Sequence, residues 1–291
     1  MPIDISPAIL DQCTDILDAE VLNTRYIGGG DINVARILET NKGRFFFKMN
    51  SGKDAFSMFA AESMGLKLMA KANVIGVPKV LGLGQNGQQA FLLLEFIEKA
   101  EHIPDDFWES FGQQLAALHK NTSDQFGLDH NNFIGSLPQV NDRRNDWVSF
   151  YIECRLEPQV KMACDSKLLH RTHLHQFESL YRYLPELMPP EAPALIHGDL
   201  WSGNFMCSIK ARPYLVDPAV CYAHREMDLA MSKLFGGFDR RFYLAYEEAF
   251  PLQPGFGQRL KPFQLYYLMV HLNLFGSSYL NSVSEILNHY S

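Results

Sequence analysis

Apolar and polar positions along the chain fall into two periods. Ile5, Ile9, Leu10, Cys13, Ile16 and Leu17 recur at helical spacing and predict an N-terminal helix within residues 1–20. Thr24–Ile27 and Val34–Leu38 flank Gly28-Gly29-Gly30-Asp31-Ile32-Asn33, which reads as strand, glycine turn, strand. After an Asn41-Lys42-Gly43 turn, Arg44–Met49 forms a third strand, with Phe45, Phe47 and Met49 on one face and Phe46 and Lys48 on the other. Ala55–Lys71 reads as a helix whose apolar stripe carries Met58, Phe59, Leu66 and Met69, and Glu62 falls on that stripe. Val77–Gly84 and Gln89–Ile97 are two further strands. The pattern breaks at Glu98–Pro104, which places a boundary near residue 100 and divides the chain into 1–100 and 101–291.

Beyond that boundary the helical period dominates. Phe107–Lys120 is amphipathic, and His119 near its end reads as a surface or capping residue favoured by the helix dipole. Residues 126–135 read as loop. Trp147–Leu156 opens an aromatic helix in which an aromatic ring and Arg155 are candidates to border a pocket. A helix over 165–185 carries His170, His173 and His175, whose offsets do not place all three on one face, so no metal site is expected there; Pro185 is expected to end it. A proline-rich linker, 189–193, leads into a short strand, Ala194–Ile196. The pattern from Arg225 starts a helix that Phe235-Gly236-Gly237-Phe238 ends, and an aromatic, helical C-terminal region follows.

Composition narrows the class. The 291 residues are 47% hydrophobic and 20% charged, with a net charge of −7, which argues against a nucleic-acid or anionic-membrane binder. Five scattered cysteines without CxxC spacing fit a reducing compartment. No basic–apolar leader is visible, and no apolar run approaches the ~18 residues of a membrane helix, so a cytoplasmic protein is expected.

The candidate chemistry centres on Ile196-His197-Gly198-Asp199-Leu200-Trp201-Ser202-Gly203-Asn204. Asp199 and Asn204 lie five residues apart, and Asp217 follows thirteen residues after Asn204 at the end of Tyr214-Leu215-Val216. One carboxylate can accept a proton from an attacking hydroxyl; an amide and a second carboxylate offer the hard oxygen donors that Mg²⁺ takes together with phosphate. A strand lysine, Lys48, with a helix carboxylate, Glu62, could hold ATP phosphates, although a lysine snorkelling at a sheet edge and a solvated glutamate are the plainer readings of each alone. The glycines Gly28, Gly29 and Gly30 could cradle phosphate or simply turn a hairpin. The order glycine turn, Lys, Glu, Asp, Asn, Asp is that of the protein-kinase fold. An α+β, two-lobed fold is therefore expected: a small N-lobe with an antiparallel sheet plus helix, and a larger, mainly α-helical C-lobe. Asp217 is followed by Pro218-Ala219, with no room for a peptide-docking loop, so a small-molecule hydroxyl is the expected acceptor. His197 and Asp228 read as scaffolding, Asp228 accepting backbone N–H groups of the loop.

His197–Asn204, Asp217-Pro218-Ala219, Arg225–Met231 and Leu234–Phe238 together resemble the fructosamine kinase (ketosamine-3-kinase) family, within the aminoglycoside phosphotransferase-like superfamily. Asn132-Phe133-Ile134-Gly135, Trp147–Tyr151 and His271–Gly276 also fit the family's pattern. The resemblance implies ATP-dependent phosphorylation of the 3-hydroxyl of ketosamines, the sugar adducts of amines, after which the destabilised adduct leaves the amine (deglycation). It implies Asp199 as proton acceptor, Asn204 and Asp217 as Mg²⁺ ligands, and Lys48 oriented by Glu62 on ATP phosphates. Glu95, Phe96 and Ile97 become the adenine hinge, and Trp201 lines the sugar site. Some members carry Cys in the glycine turn where this chain has Asp31, so no thiol switch is expected. The expected partners are ATP and a free or protein-bound ketosamine, for a monomer. The alternatives are a kinase of choline, aminoglycoside, homoserine or methylthioribose, or a nucleotide-binding module without turnover.

Overall fold

The computed structural model describes residues 5–28 and 33–290. Of the glycine turn, Gly29, Gly30 and the neighbouring Asp31 lie outside the described residues. The chain divides into two compact units, Met1–Phe107 with Met206–Asp217, and Trp108–Phe205 with Pro218–Ser291.

In the first unit, α1 (Pro7–Leu17) precedes β1 (Val21–Ile27), β2 (Val34–Thr40) and β3 (Gly43–Ser51). Then come α2 (Ala55–Ala72), β4 (Val80–Asn86) and β5 (Gln89–Glu95). The five strands form one antiparallel sheet in the order β1-β2-β3-β5-β4. Alternation on β3 works as the pattern predicts: Phe47 and Met49 join Leu38, Phe91 and Leu93 in a core capped by Ile9 and Cys13 of α1. Lys48 therefore points to the opposite face, where α2 packs across β4 and β5.

Residues 206–217 belong with this sheet unit rather than with the chain beyond residue 100. Two short strands, β9 (Phe205–Cys207) and β10 (Pro213–Leu215), form a ribbon. Backbone bonds fasten it: Gly76 N to Pro213 O, Leu215 N to Gly76 O and Ala100 N to Cys207 O, at 3.2, 2.9 and 2.8 Å. The ribbon ends on Asp217, so this carboxylate is carried by the unit that carries Lys48.

The second unit is mainly helical. It holds α3 (Phe107–His119), α4 (Trp147–Tyr151), α5 (Glu157–Asp165), α6 (Arg171–Leu187), α7 (Glu226–Leu234), α8 (Arg240–Ala249), α9 (Phe256–Phe275) and α10 (Leu280–Asn288). One large apolar core joins α4–α7, α9 and α10, with Phe150, Tyr151, Leu180, Tyr267 and Leu272 fully buried. Two antiparallel pairs, β6 (Asn132–Ile134) with β7 (Leu137–Gln139) and β8 (Ala194–Ile196) with β11 (Cys221–Ala223), sit against it.

Three expectations change. Residues 126–135 are not all loop, since Asn132–Ile134 pairs with Leu137–Gln139 around Gly135. The aromatic helix passes through a π-type turn at Ile152–Leu156 and runs on to Asp165. Pro158 cannot supply an N–H to the carbonyl of Cys154, and the guanidinium of Arg155 donates to that carbonyl instead, at 2.9 Å. Pro185 does not end α6. The helix continues to Leu187, because burial of Phe177, Leu180 and Leu184 outweighs the loss of one backbone donor.

Candidate active site

In the first unit a buried ion cluster forms around Lys48. Its register partners are Ala35 and Leu92, so an ammonium in the sheet centre lies among apolar neighbours and requires counter-charges. Lys48 Nζ donates to both carboxylate oxygens of Glu62 at 2.8 Å and to Asp217 Oδ1 at 2.6 Å. Burial acts against the lysine charge, but Asp217 and then Glu62 outweigh it and hold the pKa above the ordinary lysine value. Burial pushes Glu62 up to about 7, with Lys48 pulling down and Asp217 adding to the rise. Two carboxylates and one ammonium leave the cluster one negative charge in excess. Asp217 sits in the left-handed region at φ +54°, a conformation that Asp tolerates better than most residues.

Glu95 ends β5, and Phe96 and Ile97 follow it directly. Glu95 N donates to Lys79 O, Ile97 is buried, and the Arg44 guanidinium lies 4.7 Å from the Phe96 ring centroid while bonding Glu98. Gly28 stands at the start of the glycine turn with open space where a Cβ would be.

In the second unit the chain turns sharply after β8. Gly198 takes φ +85°, and a Cβ there would strike the Ala219 carbonyl, so both backbone and space demand glycine. Ala219 N donates to His197 O at 2.9 Å, tying the loop to the segment that follows Asp217. Asp228, three residues into α7 and fully buried, clamps the loop: Oδ2 accepts from His197 N at 2.7 Å and Oδ1 from Gly198 N at 2.8 Å. His197, also fully buried, accepts the Asp199 N–H through Nδ1 at 3.2 Å. Both residues thus act as scaffolding for the loop. Asp199 is left partly exposed, and Asn204 Nδ2 donates to its carbonyl at 2.8 Å and its Oδ2 at 3.0 Å. That arrangement fixes the amide so that Asn204 Oδ1 is turned away from Asp199. Phe205, next in sequence, anchors the loop in an aromatic cluster with Trp108, Phe111 and Phe238, at 5.5, 5.0 and 5.0 Å between centroids. Trp201 is 39% exposed.

Mg²⁺ is implied by the resemblance, and the residues fit it. In the first unit Asp217 offers hard carboxylate oxygens beside Glu62 and Lys48, and in the second unit Asn204 offers an amide oxygen, both donor types that Mg²⁺ takes. Among the described residues, one group has metal-like spacing, Glu191, His224 and Glu226, with ligand atoms within 4.8 Å. It is an ion-pair network instead. Arg225 takes both oxygens of Glu191 at 2.8 and 2.9 Å, and Arg259 both oxygens of Glu226 at 2.6 and 2.8 Å.

His119 corrects the surface reading. It is fully buried, with Nε2 on Asp228 Oδ2 at 3.1 Å and Nδ1 on the Tyr246 hydroxyl at 2.8 Å, so it braces the clamp from behind. Arg155 is taken up by the core. Buried at 2% exposure, it lies over the Phe150 ring and bonds the Val140 carbonyl and Asn141 Oδ1. The network continues from Asn141 and Gln139 to Asn132 Oδ1, each at 2.8 Å, and from Asn132 Nδ2 to Val220 O at 2.8 Å. Tyr266 OH donates to Gln139 Oε1 at 2.6 Å, and Gln139 Nε2 to Ala219 O at 3.2 Å. These residues hold the backbone after Asp217. The only sequence signal was the concentration of Asn and Gln at 131–141, which reads equally as loop.

The first unit holds a buried strand lysine paired to a helix glutamate, and the second an Asp–Asn loop on a helix-borne clamp, each a part that protein-kinase-like phosphotransferases carry. The fold agrees: aminoglycoside phosphotransferase APH(4)-Ia superposes with a TM-score of 0.66 at 13% identity, covering 98% of this chain and 99% of that one, a likeness of fold alone. The fructosamine kinase family model matches residues 6–291, and the chain belongs to that family. It is similar to a probable ketoamine kinase of Lactiplantibacillus plantarum, 37% identical over 273 residues, 93% of this chain and 95% of that protein. The ketosamine-3-kinase of Mus musculus is 34% identical over 301 residues, 94% and 96% of the two chains. A crystal structure from Thermobifida fusca, provisionally assigned as a fructosamine-3-kinase, has a TM-score of 0.87 at 31% identity and covers 98% of both chains.

Proposed function

We propose that this protein is an ATP- and Mg²⁺-dependent ketosamine 3-kinase acting in deglycation. The observation that carries the reading is the Asp199 carboxylate, partly exposed and held by the Asn204 amide in a loop fixed by Asp228. Membership of the fructosamine kinase family and similarity to a ketosamine-3-kinase support the acceptor class.

In this reading Asp199 accepts the proton of the substrate 3-hydroxyl as its oxygen attacks the γ-phosphorus; the bond to the β-phosphate oxygen breaks and ADP leaves. The Asn204 amide fixes the carboxylate oxygen that takes the proton. Lys48, oriented by Glu62, holds phosphate oxygens, and Glu95–Ile97 with Gly28–Gly30 serve the nucleotide. Asn204 and Asp217 would hold Mg²⁺, which supplies charge neutralisation for the transferring phosphoryl group. Trp201 lines the sugar site. We assign nucleotide binding to 1–100 and the catalytic loop and acceptor pocket to 101–291, in a cytoplasmic monomer; the five unpaired cysteines support a reducing compartment.

The test is ADP release by purified protein with Mg-ATP and ribulosyl- or fructosyl-lysine. Turnover is expected, and Asp199→Asn is expected to lower kcat by roughly 10²–10⁴-fold. Turnover on choline, an aminoglycoside, homoserine or methylthioribose with none on any ketosamine would replace the acceptor. Full activity in Asp199→Asn would remove the base.

A further inference from the structure

Gly203 is the second glycine of the loop that carries Asp199. Its φ lies outside the left-handed region, so φ alone does not demand glycine there, unlike Gly198 at φ +85°. The reason for glycine must be space. A Cβ built there would fall inside contact distance of three atoms of one side chain, Cη2, Cζ2 and Cε2 of Trp201, and of nothing nearer. The six-membered half of the indole thus lies directly on the Gly203 backbone. Trp201 is 39% exposed, so this contact leaves part of the ring open to solvent.

From this we infer that Gly203 is a positioning residue for the acceptor: it is the seat on which Trp201 lies, and its lack of a side chain sets the height and tilt of the indole over the Asp199 loop. The inference rests on the proposed kinase reading, in which Trp201 meets the sugar adduct. A methyl group at 203 cannot be absorbed by the loop, because Asn204 and Asp199 are held by their own hydrogen bonds and Phe205 by its aromatic cluster. The ring is the part free to yield. It would lift from the backbone, and the acceptor would meet a displaced wall while the base, the phosphate-binding lysine and the metal ligands keep their places. Aromatic contacts of this kind depend on ring height and offset, so a gap of about 1 Å forfeits up to about half of one.

The experiment compares Gly203→Ala with wild type in steady-state kinetics on ribulosyl- and fructosyl-lysine, together with iodide quenching of the Trp201 emission, taken as the difference from Trp201→Phe. In Gly203→Ala, KM for the ketosamine is expected to rise about threefold with KM for ATP within twofold, as the loss of about half of one aromatic contact implies. The quenching constant is expected to rise as the ring lifts. In a Trp201→Leu background the same alanine should cost less than twofold, because no ring remains to displace. Unchanged ketosamine KM and unchanged quenching in Gly203→Ala overturn the inference. So does a fall in kcat or in ATP affinity that persists in the Trp201→Leu background, which would assign Gly203 to Asn204 instead. Absence of ketosamine turnover in wild type would fail the kinase reading alone, since the quenching comparison still decides whether Gly203 seats the ring.

Discussion

Lys48 is an ammonium enclosed in the sheet unit and shared between two carboxylates, Glu62 and Asp217. Glu62 stood out because a carboxylate on an apolar helical stripe needs a cation, and Lys48 because an ammonium in an aromatic strand needs an anion. The structure pairs them at 2.8 Å. His119 gave no such signal. It too lies on an amphipathic helix, but its partners Asp228 and Tyr246 are 109 and 127 positions away, and its place at a helix end had a sufficient surface explanation. The Lys48 pairing leads to a prediction. In Lys48→Met, the almost fully buried Glu62 loses its counter-ion, which should cost about 3–5 kcal/mol while the carboxylate stays charged. Burial already holds Glu62 at about 7, so it can escape by taking a proton. A carboxyl with a raised folded-state pKa contributes stability that is present at low pH and lost as pH rises. Lys48→Met should therefore be destabilised more at pH 8 than at pH 6 in urea titrations. The double variant Lys48→Met/Glu62→Gln should regain stability at pH 8 without regaining kinase activity. Equal destabilisation at both pH values would show that Glu62 is not the residue left unpaired.

Elements were legible where one period ran long. The five-stranded sheet, α2 and α3 follow from alternation and from helical stripes, and α7 from the pattern that starts at Arg225. The β6–β7 hairpin escaped because each strand is three residues long and its faces are polar: Asn132 and Gln139 are buried by hydrogen bonds, not by apolarity. The same feature gives the hairpin its task. Asn132 accepts from two amides and donates to the Val220 carbonyl, so one side chain links β6 to the backbone just after Asp217. Asn132→Leu keeps the volume but leaves the Val220 carbonyl and the amide N–H groups of Gln139 and Asn141 short of a partner. An unsatisfied buried polar group costs roughly 1–3 kcal/mol, so a loss of about 3 kcal/mol is expected, read from the urea midpoint. The Ala219–Val220 segment also carries the bond to His197, so kcat should fall in the folded fraction as well. Retained stability with normal kcat would mean that the hairpin is held by its apolar residues Phe133 and Ile134 alone.

Across the whole molecule, the class of fold was readable from the order of chemical groups, but the path of the chain was not. Nothing in 206–217 announces that this ribbon packs with the first unit, because its hold on Gly76 and Ala100 is made by backbone atoms that carry no sequence signal. The charge network of the second unit was hidden in the same way, its members coming from the 189–193 linker, from the start of α7 and from α9. Around His224 two arginines balance two glutamates: Arg225 on Glu191, and Arg259 on Glu226. The set is neutral, so a proton on the fully buried imidazole would add a charge with no counter-charge left to meet it. Burial first, then Arg259 and Arg225, lower the His224 pKa to about 4, against the opposing pull of Glu191. An unfolded chain takes up this proton near pH 6.5, the folded one only near pH 4, so the unfolded state binds more protons between those values. His224 therefore contributes stability that is present above about pH 6.5 and is lost as pH falls towards about 4, at a slope of up to ~1.4 kcal/mol per pH unit. Glu191, held below the usual glutamate value by Arg225 against its burial, and Glu226, raised by burial, also respond to pH, so the histidine is isolated by difference. His224→Asn, whose amide oxygen can replace Nδ1 as acceptor for the Glu226 N–H, removes the titration. Urea unfolding of wild type and variant from pH 7.5 to 4.5 should give curves that converge as pH falls, with the wild type losing stability faster below pH 6.5. Parallel curves would mean that His224 takes its proton at the same pH folded and unfolded, and curves that part as pH falls from 7.5 would mark an imidazolium bound to Glu191.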